Sequence, residues 1–359
     1  MPLIFPFVLA ALLPAAVYGQ PTPEVLSAVS CESCEVVLVP TVTLGDEDGP
    51  GMLEFERSLL AADARGRYYV YGGGSPYVWV FGSDGELIRR VGNRGEGPGE
   101  FLRTAGVAVD PHDSVYVFDG ALRRMSVFTP DLEFGRTASV EFSGGKGVFL
   151  GVDLVVNAGI RTPERVGYPL HIVEPTGETR NSFGPIPGAV FRPDLADIIE
   201  QRAIGVAGED AVWAGRINEY LLEKWDRDGT LRRSISRETE WFPAWWEHED
   251  GPPTTHIRDL QQTGDTLWVM IMVPGQDWQD AVRQVDGGRR VVEDRQRYQD
   301  TIIEAIDLTD GTVLVSSRIE TPLGGFAGPN QVYGWPTEVF DPVAVHLWEL
   351  RITHPNEGR

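Results

Sequence analysis

The sequence is short of cysteine, of positive charge and of long hydrophobic runs. Its 359 residues include 2 cysteines and 6 histidines, and 31 Lys and Arg against 53 Asp and Glu give a net charge of -22. The negative charge argues against a nucleic-acid partner, because phosphate groups are repelled at long range. No segment beyond the N-terminus is long and apolar enough to span a bilayer, so we expect a mature chain without a transmembrane segment.

The one long hydrophobic run lies at the N-terminus. Residues 1–16 are nearly all apolar, and a small residue, Gly19, precedes Gln20. This pattern predicts a secretory signal peptide over residues 1–19 and an exported protein, either periplasmic or secreted. A membrane anchor is the alternative, although prolines interrupt the run and it is short for a bilayer span.

Both cysteines belong to the motif Cys31-Glu-Ser-Cys34, just before the first predicted strand. In an oxidising compartment this pair predicts a local disulfide that pins the N-terminal strand. One alternative is a redox CxxC, although the motif does not open a helix in a βαβ unit. The others are a zinc site, which needs further ligands, and a lipidated Cys31.

Glycine and proline are abundant, with 41 and 26 residues, as expected for many short strands joined by tight turns. The segment Gly95-Glu-Gly-Pro-Gly-Glu-Phe101 follows a β-prone run and has an upstream echo at Gly49-Pro-Gly-Met-Leu-Glu-Phe55. A recurring unit of about 45 residues is typical of propellers and solenoids. Each unit divides into four short strands, a to d, and Ser83-Asp84-Gly85 is a hairpin signal between c and d of the first.

The clearest unit resembles an NHL-type repeat over residues 54–132. The segments that carry the resemblance are Gly97–Phe101, Gly106–Asp110, Tyr116–Asp119 and Arg123–Phe128. The resemblance implies an all-β, six-bladed β-propeller of the TolB-like group, which occurs in many exported bacterial proteins. Four-stranded blades account for the later units, although the sixth supplies only three strands.

The missing strand of the sixth blade is predicted at the other end of the chain. Residues 36–44 have the character of a d strand but no a, b or c strand before them. We therefore predict that they pair with the last blade and close the ring, which protects its sheet edges. The propeller then spans residues 36–353, preceded by an N-terminal segment at 20–35 and followed by a tail at 354–359.

The long insertions fall on one face of the predicted propeller. The d–a and b–c connections emerge together on this face, here called the elaborated face, and the short a–b and c–d turns lie on the other. Loops on a rigid scaffold commonly carry function. The insertions are residues 160–167, 184–201, 238–255, 274–300 and 336–342. Within them, residues 276–299 have mixed charges and a helical composition, which predicts a short helical cap or a mobile lid over the channel mouth.

Basic residues recur at the start of strand a, seven positions before its terminal acid, or six in the first unit. Strand a lines the central channel, so these side chains are expected at its mouth on the elaborated face. Converging cations in a partly desolvated funnel attract carboxylate, phosphate or sulfate. The alternative is that each pairs with a local acid, as Glu100 precedes Arg103. The set is Arg57, Arg103, Lys146, Arg202 and Arg258.

Tryptophan is concentrated in the same insertions. Exposed indole rings stack on flat ligands or anchor protein partners. The alternative is a small satellite core that holds the insertions in place. The candidate ligand-binding residues are Trp241, Trp245, Trp246 and Trp278.

Histidine supplies one further candidate, His256, which lies near His248 among acidic residues. No HxH or HExxH spacing indicates a metal site, and no GxSxG indicates a serine hydrolase, so we assign no catalytic residue. We predict a monomeric, non-catalytic binding protein that recognises a protein or a small anionic ligand on the elaborated face, without a cofactor. The alternative is a metal-dependent hydrolase or lyase of the lactonase type in the channel, with calcium as the metal.

Overall fold

A computed structural model describes residues 21–26, 28–53, 58–72, 74–160, 162–186, 202–243, 251–285, 290–335 and 343–354. The predicted signal peptide and the residues of the tail after His354 lie outside these ranges. Within them, no helix is long and apolar enough to cross a membrane. The described chain consists almost entirely of β-strands.

Two strands precede the first blade, β1 (Glu24–Val25) and β2 (Glu35–Leu44). Blade 1 consists of β3 (Leu59–Ala62), β4 (Tyr68–Tyr71), β5 (Val78–Phe81) and β6 (Leu87–Val91). Blade 2 consists of β7 (Thr104–Val109), β8 (Val115–Asp119), β9 (Arg124–Phe128) and β10 (Phe134–Ser139). Blade 3 consists of β11 (Lys146–Leu150), β12 (Asp153–Asn157), β13 (Leu170–Val173) and β14 (Thr179–Phe183).

Blade 4 consists of β15 (Arg202–Val206), β16 (Ala211–Arg216), β17 (Leu221–Asp226) and β18 (Leu231–Ser236). Blade 5 consists of β19 (His256–Thr263), β20 (Thr266–Pro274), β23 (Gln299–Asp307) and β24 (Thr312–Ile319), with the strands β21 (Val282–Gln284) and β22 (Arg290–Val292) inserted between its second and third strands. Blade 6 contains β25 (Leu323–Gly328), β26 (Gln331–Gly334) and β27 (Val345–Thr353).

The N-terminal strand closes the ring, as the sequence predicts. Strand β2 pairs antiparallel with β27 from Glu35 opposite Thr353 to Leu44 opposite Val345 and becomes the fourth strand of blade 6. The c–d turn of blade 1 packs directly on this closing strand. Gly85 in that turn has a φ of 88°, and a Cβ there would lie 2.6 Å from the carbonyl oxygen of Thr43, so the position requires glycine.

The hydrophobic core is divided among the contacts between blades. The described residues form six apolar clusters, and each combines the strands of two neighbouring blades. The middle strands are mostly buried, and in β4 and β5 all eight residues are buried. Because the apolar faces of the sheets are buried against each other, the centre of the ring is left as a channel lined by the first strand of each blade.

The N-terminal segment crosses the outer edges of three blades before it closes the ring. Strand β1 pairs parallel with β18 of blade 4, Val29 forms a bridge with Val313 of blade 5, and β2 then joins blade 6. Cys31 and Cys34 form a disulfide between the last two of these contacts, as predicted. The segment therefore connects the outer strands of blades 4, 5 and 6.

The insertion of blade 5 is not the helical cap that its composition predicts. It contains a 3-10 turn at Trp278–Ala281, a two-stranded hairpin of β21 and β22, and a single helical turn, α1 (Arg295–Tyr298). The Asp294 carboxylate caps α1 by accepting the N–H groups of Gln296 and Arg297. The β-branched residues Val282, Val291 and Val292 favour strand over helix in the remainder.

Candidate functional site

The central channel is a cavity of about 1330 Å³ lined by the first strands of the blades. Small residues at its wall, among them Ala105, Gly147 and Gly205, keep the inner strands close together and the lumen open. In each blade the first strand starts beside the end of the second, as in the pairing of Lys146 with Asn157. The starts of the first strands therefore lie at the elaborated face, where the b–c insertions also emerge.

Four of the five predicted cations line this one cavity. Arg103, Lys146, Arg202 and Arg258 come from blades 2, 3, 4 and 5. Arg57 lies outside the described residues. Positive charge from four consecutive blades thus meets in one space, in a chain whose net charge is -22.

Lys146 and Asp259 form an ion pair inside the cavity. Asp259 is buried, and its carboxylate also accepts the N–H groups of Leu260 at 2.8 Å and Phe326 at 2.9 Å. A register shift in β19 between Ile257 and Asp259 turns the chain at this point. Asp259 therefore has three donors from three blades, and it holds Lys146 in place.

The arginines differ in how far their guanidinium groups are engaged. Arg202 is the most buried, at 5% exposure. Its backbone is fixed by Asn157, because its N–H donates to Oδ1 of Asn157 at 3.0 Å and its carbonyl oxygen accepts from Nδ2 of Asn157 at 2.6 Å. Arg258 donates from Nε to the carbonyl oxygen of Gly324 at 3.0 Å. Arg103 is exposed, and its guanidinium has no hydrogen bond or ion pair with any residue that the structure describes.

The local acid does not neutralise Arg103. Glu100, the acid three residues earlier, directs its carboxylate into its own loop, where it accepts the N–H of Gly97 at 2.8 Å. The Nη2 atom of Arg103 instead lies against Gly120, where a Cβ would approach it to 2.6 Å. Local charge pairing, the alternative to an anion site, is therefore not formed at this position.

Two buried tyrosines that the sequence reading missed form part of the cavity wall. Tyr71 ends β4 of blade 1, and Tyr333 lies in β26 of blade 6. Burial raises the pKa of Tyr71 to about 12, and burial likewise raises the pKa of Tyr333. Both phenols are therefore neutral at physiological pH. A Cβ at Gly324 would lie 2.2 Å from Cε2 of Tyr333, so this glycine allows the ring to lie against the strand.

His256 also lines the cavity. Its Nδ1 donates to the carbonyl oxygen of Thr254 at 2.9 Å, so Nε2 carries the lone pair when the ring is neutral. Across the part of the chain that the structure describes, no three His, Cys, Asp or Glu side chains converge to hold a metal ion.

The described tryptophans lie away from the cavity wall. Trp241 packs against Tyr220 and Phe242, with ring centroids 6.3 and 6.2 Å away, and contacts the core between blades 4 and 5. The guanidinium of Arg290 lies 5.5 Å from the ring centroid of Trp278. Trp245 and Trp246 lie outside the described residues.

Comparison with known proteins supports the architecture. The model of the family DUF5128, described as a 6-bladed beta-propeller, matches residues 58–144, which contain blades 1 and 2. The fold is a six-bladed β-propeller. No curated protein matches the sequence.

Solved structures are similar to this chain at low sequence identity. An exported protein of Bacteroides fragilis is 11% identical with a TM-score of 0.58, over 89% of this chain and 96% of that one. A DUF4221 family member of Bacteroides vulgatus is 10% identical with a TM-score of 0.61, over 89% and 99%. Virginiamycin B lyase of Staphylococcus aureus is 9% identical with a TM-score of 0.48, over 88% and 100%. The likenesses to the two Bacteroides proteins show the fold alone.

Proposed function

We propose that this protein is an exported, non-catalytic binding propeller that captures a small anion at the elaborated end of its channel. The ligand presents a carboxylate, phosphate or sulfate group. The observation that carries the proposal is the meeting of Arg103, Lys146, Arg202 and Arg258 around one cavity of a strongly acidic chain. Grouping four positive side chains around one cavity is unfavourable unless a bound anion or nearby acidic side chains compensate their charge.

The cations have separate tasks in this proposal. Arg103 is exposed to the cavity and unpaired among the described residues, and it is the primary ligand contact. The Nε of Arg258 donates to the carbonyl oxygen of Gly324, and its terminal nitrogens are the donors that would bond the ligand. Lys146 is held by Asp259. It adds to the positive electrostatic potential of the cavity and does not bond the ligand directly. Charge-assisted bonds from guanidinium to an oxyanion are roughly twice as strong as neutral ones.

The cavity strengthens these contacts because it is walled by protein. Two unit charges 4 Å apart attract by about 1 kcal/mol in water and by about 4 kcal/mol at an effective dielectric constant of about 20. The neutral phenols of Tyr71 and Tyr333 add no negative charge to the wall. Salt screens charges exposed to solvent more than charges in a walled cavity, so the acidic outer surface opposes capture less than its net charge suggests.

The setting of the protein is part of the proposal. The disulfide of Cys31 and Cys34 suits an oxidising compartment, in line with a periplasmic or secreted protein. The NHL-type, TolB-like subgroup is our assignment from residues 54–132. Recognition of a protein partner through Trp245 and Trp246 stays a prediction from the sequence.

Thermal unfolding with a panel of small carboxylates, phosphate and sulfate tests the proposal. An anion at about 100 times its Kd stabilises the folded state by about 2.7 kcal/mol. Arg103→Ala should abolish this gain, whereas Arg351→Ala should keep it, because Arg351 is an exposed arginine paired with Glu349 outside the cavity. Equal loss in both variants, or no stabilisation by any panel member, would contradict the proposal.

A hydrolase or lyase acting in the channel is the second candidate. It is favoured by His256, which lies in the cavity that holds the cations and whose Nδ1 donates to Thr254, so that Nε2 is the ring nitrogen that would accept a proton from a substrate. A screen of lactones and esters, with His256→Ala and the exposed His112→Ala as its control, separates the two. Turnover that His256→Ala removes would replace the binding proposal by the enzymatic one.

A further inference from the structure

A second cavity adjoins the channel on the elaborated face. It encloses about 370 Å³ between blades 2 and 3 and is lined by Arg123, Glu141, Ser143, Gly159, Ile160 and Thr162, together with Val140. Ser143 and Gly159 also line the channel, so the two spaces share a wall. We call the smaller one the side pocket.

Among the described residues that line the side pocket, one charge is uncompensated. The Glu141 carboxylate is already engaged by the Arg165 guanidinium. The Arg123 guanidinium is exposed and has neither a hydrogen bond nor an ion pair with the residues that the structure describes. The hydroxyl groups of Ser143 and Thr162 lie at the same wall and can donate to an oxyanion.

The two unpaired guanidinium groups lie on either side of the shared wall. On the channel side, Gly120 has the Nη2 of Arg103 and the carbonyl oxygen of Ser143 as close neighbours, since a Cβ there would approach them to 2.6 and 2.2 Å. On the other side, Arg123 lines the side pocket that Ser143 borders. Arg123 is fixed at the backbone by a φ of 48° and by its carbonyl, which accepts the N–H of Val140 at 2.9 Å.

We infer that the ligand of this protein is an elongated dianion. One anionic group lies in the channel against Arg103, and the second reaches over the Ser143 wall to Arg123 in the side pocket. This inference rests on the proposed function and narrows its ligand class. A dicarboxylate, a bisphosphate or a phosphorylated carboxylate shares the required chemistry, whereas a monoanion fills only the first position.

Isothermal titration calorimetry with linear dicarboxylates, from succinate to suberate, and monocarboxylates of equal chain length tests the inference. For one chain length the wild-type protein should bind the dicarboxylate at least about tenfold more tightly than its monocarboxylate. In Arg123→Ala this ratio should fall to about one, and Arg123→Lys should recover part of it. Arg351→Ala should leave the ratio as in the wild type. Thermal unfolding of each variant shows that it is folded.

The outcomes separate this inference from the proposed function. If monocarboxylates bind and Arg103→Ala weakens them, but no dicarboxylate gains affinity or the gain survives Arg123→Ala, the side pocket is not a second subsite and the channel site stands. If no carboxylate of either series binds, and neither phosphate nor pyrophosphate does, both are contradicted.

Discussion

Lys146 of blade 3 and Asp259 of blade 5 form an ion pair that reaches past the inner strand of blade 4. The two partners are unequal. The Lys146 side chain is 43% exposed, whereas that of Asp259 is 8% exposed and accepts two backbone N–H groups as well. Asp259 is therefore a structural anchor of the channel wall, and Lys146 is its more exposed partner.

Substitution of the two partners should have unequal effects on stability. Asp259→Ala leaves two backbone N–H groups without their acceptor, which costs roughly 1–3 kcal/mol for each that stays buried. Lys146→Ala should cost less than Asp259→Ala, because the Lys146 side chain is 43% exposed and water can take its place at the carboxylate. Denaturant unfolding of both variants and of the double variant measures this difference. Equal losses in the two single variants would show that the ion pair, not the backbone contacts, fixes Asp259.

Acid should destabilise the protein through His171. Burial lowers the pKa of this histidine from 6.5 to about 4, and its ring nitrogens are bonded to Ser182 and Ala158. Between these two pKa values the unfolded chain binds a proton that the folded chain does not. Stability is therefore full above the unfolded pKa and falls as the pH drops from about 6.5 towards 4, by up to about 3 kcal/mol.

The contribution of His171 is measured as a difference between variants, because carboxylates also titrate in this range. The free energy of unfolding of His171→Gln should fall less between about pH 7 and pH 4.5 than that of the wild type. The exposed His112→Gln is the matched control and should behave as the wild type. An unchanged pH dependence in His171→Gln would contradict the assignment.

A buried network between blades 4 and 5 should be sensitive to the loss of one hydroxyl. Tyr220 donates to Oε2 of the fully buried Glu304 at 2.7 Å, and Arg237 lies 2.9 Å from its Oε1. Tyr220→Phe removes a donor from a buried carboxylate and should cost about 1–3 kcal/mol. Tyr116→Phe, whose hydroxyl is 3.5 Å from Asp110, should cost clearly less. Equal denaturation midpoints for both variants would be the contrary result.

Reduction of the disulfide should loosen the closure of the ring only modestly. Cys31 and Cys34 are three positions apart, and a loop this short contributes at most roughly 2 kcal/mol by chain entropy. Cys31→Ser with Cys34→Ser should lower the melting temperature by a few degrees and make it insensitive to dithiothreitol, whereas reductant lowers that of the wild type. A reductant effect that persists in the double variant would contradict this account.

The closure of the ring was predictable because each blade repeats one strand order. Residues 36–44 form a d strand without earlier partners, and β2 occupies Glu35–Leu44 in the structure. Four of the five cations line one cavity for a similar reason. The first strands all start at one face, so a basic residue at the same point in each repeat reaches the same mouth.

Other parts of the site depend on contacts between residues that are distant in the chain, and the spacing of residues in the sequence does not predict these contacts. Tyr71 and Tyr333 are far apart in the chain and come together only because blade 6 is the neighbour of blade 1. The pairing of Lys146 with Asp259 depends on the irregular register of β19. The hairpin of β21 and β22 consists of strands of three residues each, too short for a hydrophobic period to distinguish from helix.

The central claim, an anion site at the mouth of the channel, is tested most directly by anomalous diffraction from crystals soaked in selenate. The account predicts a selenium peak inside the cavity, in contact with the guanidinium of Arg103 or Arg258, that is lost in crystals of Arg103→Ala and kept in those of Arg351→Ala. Selenium peaks confined to the outer surface, with none in the channel, would contradict it.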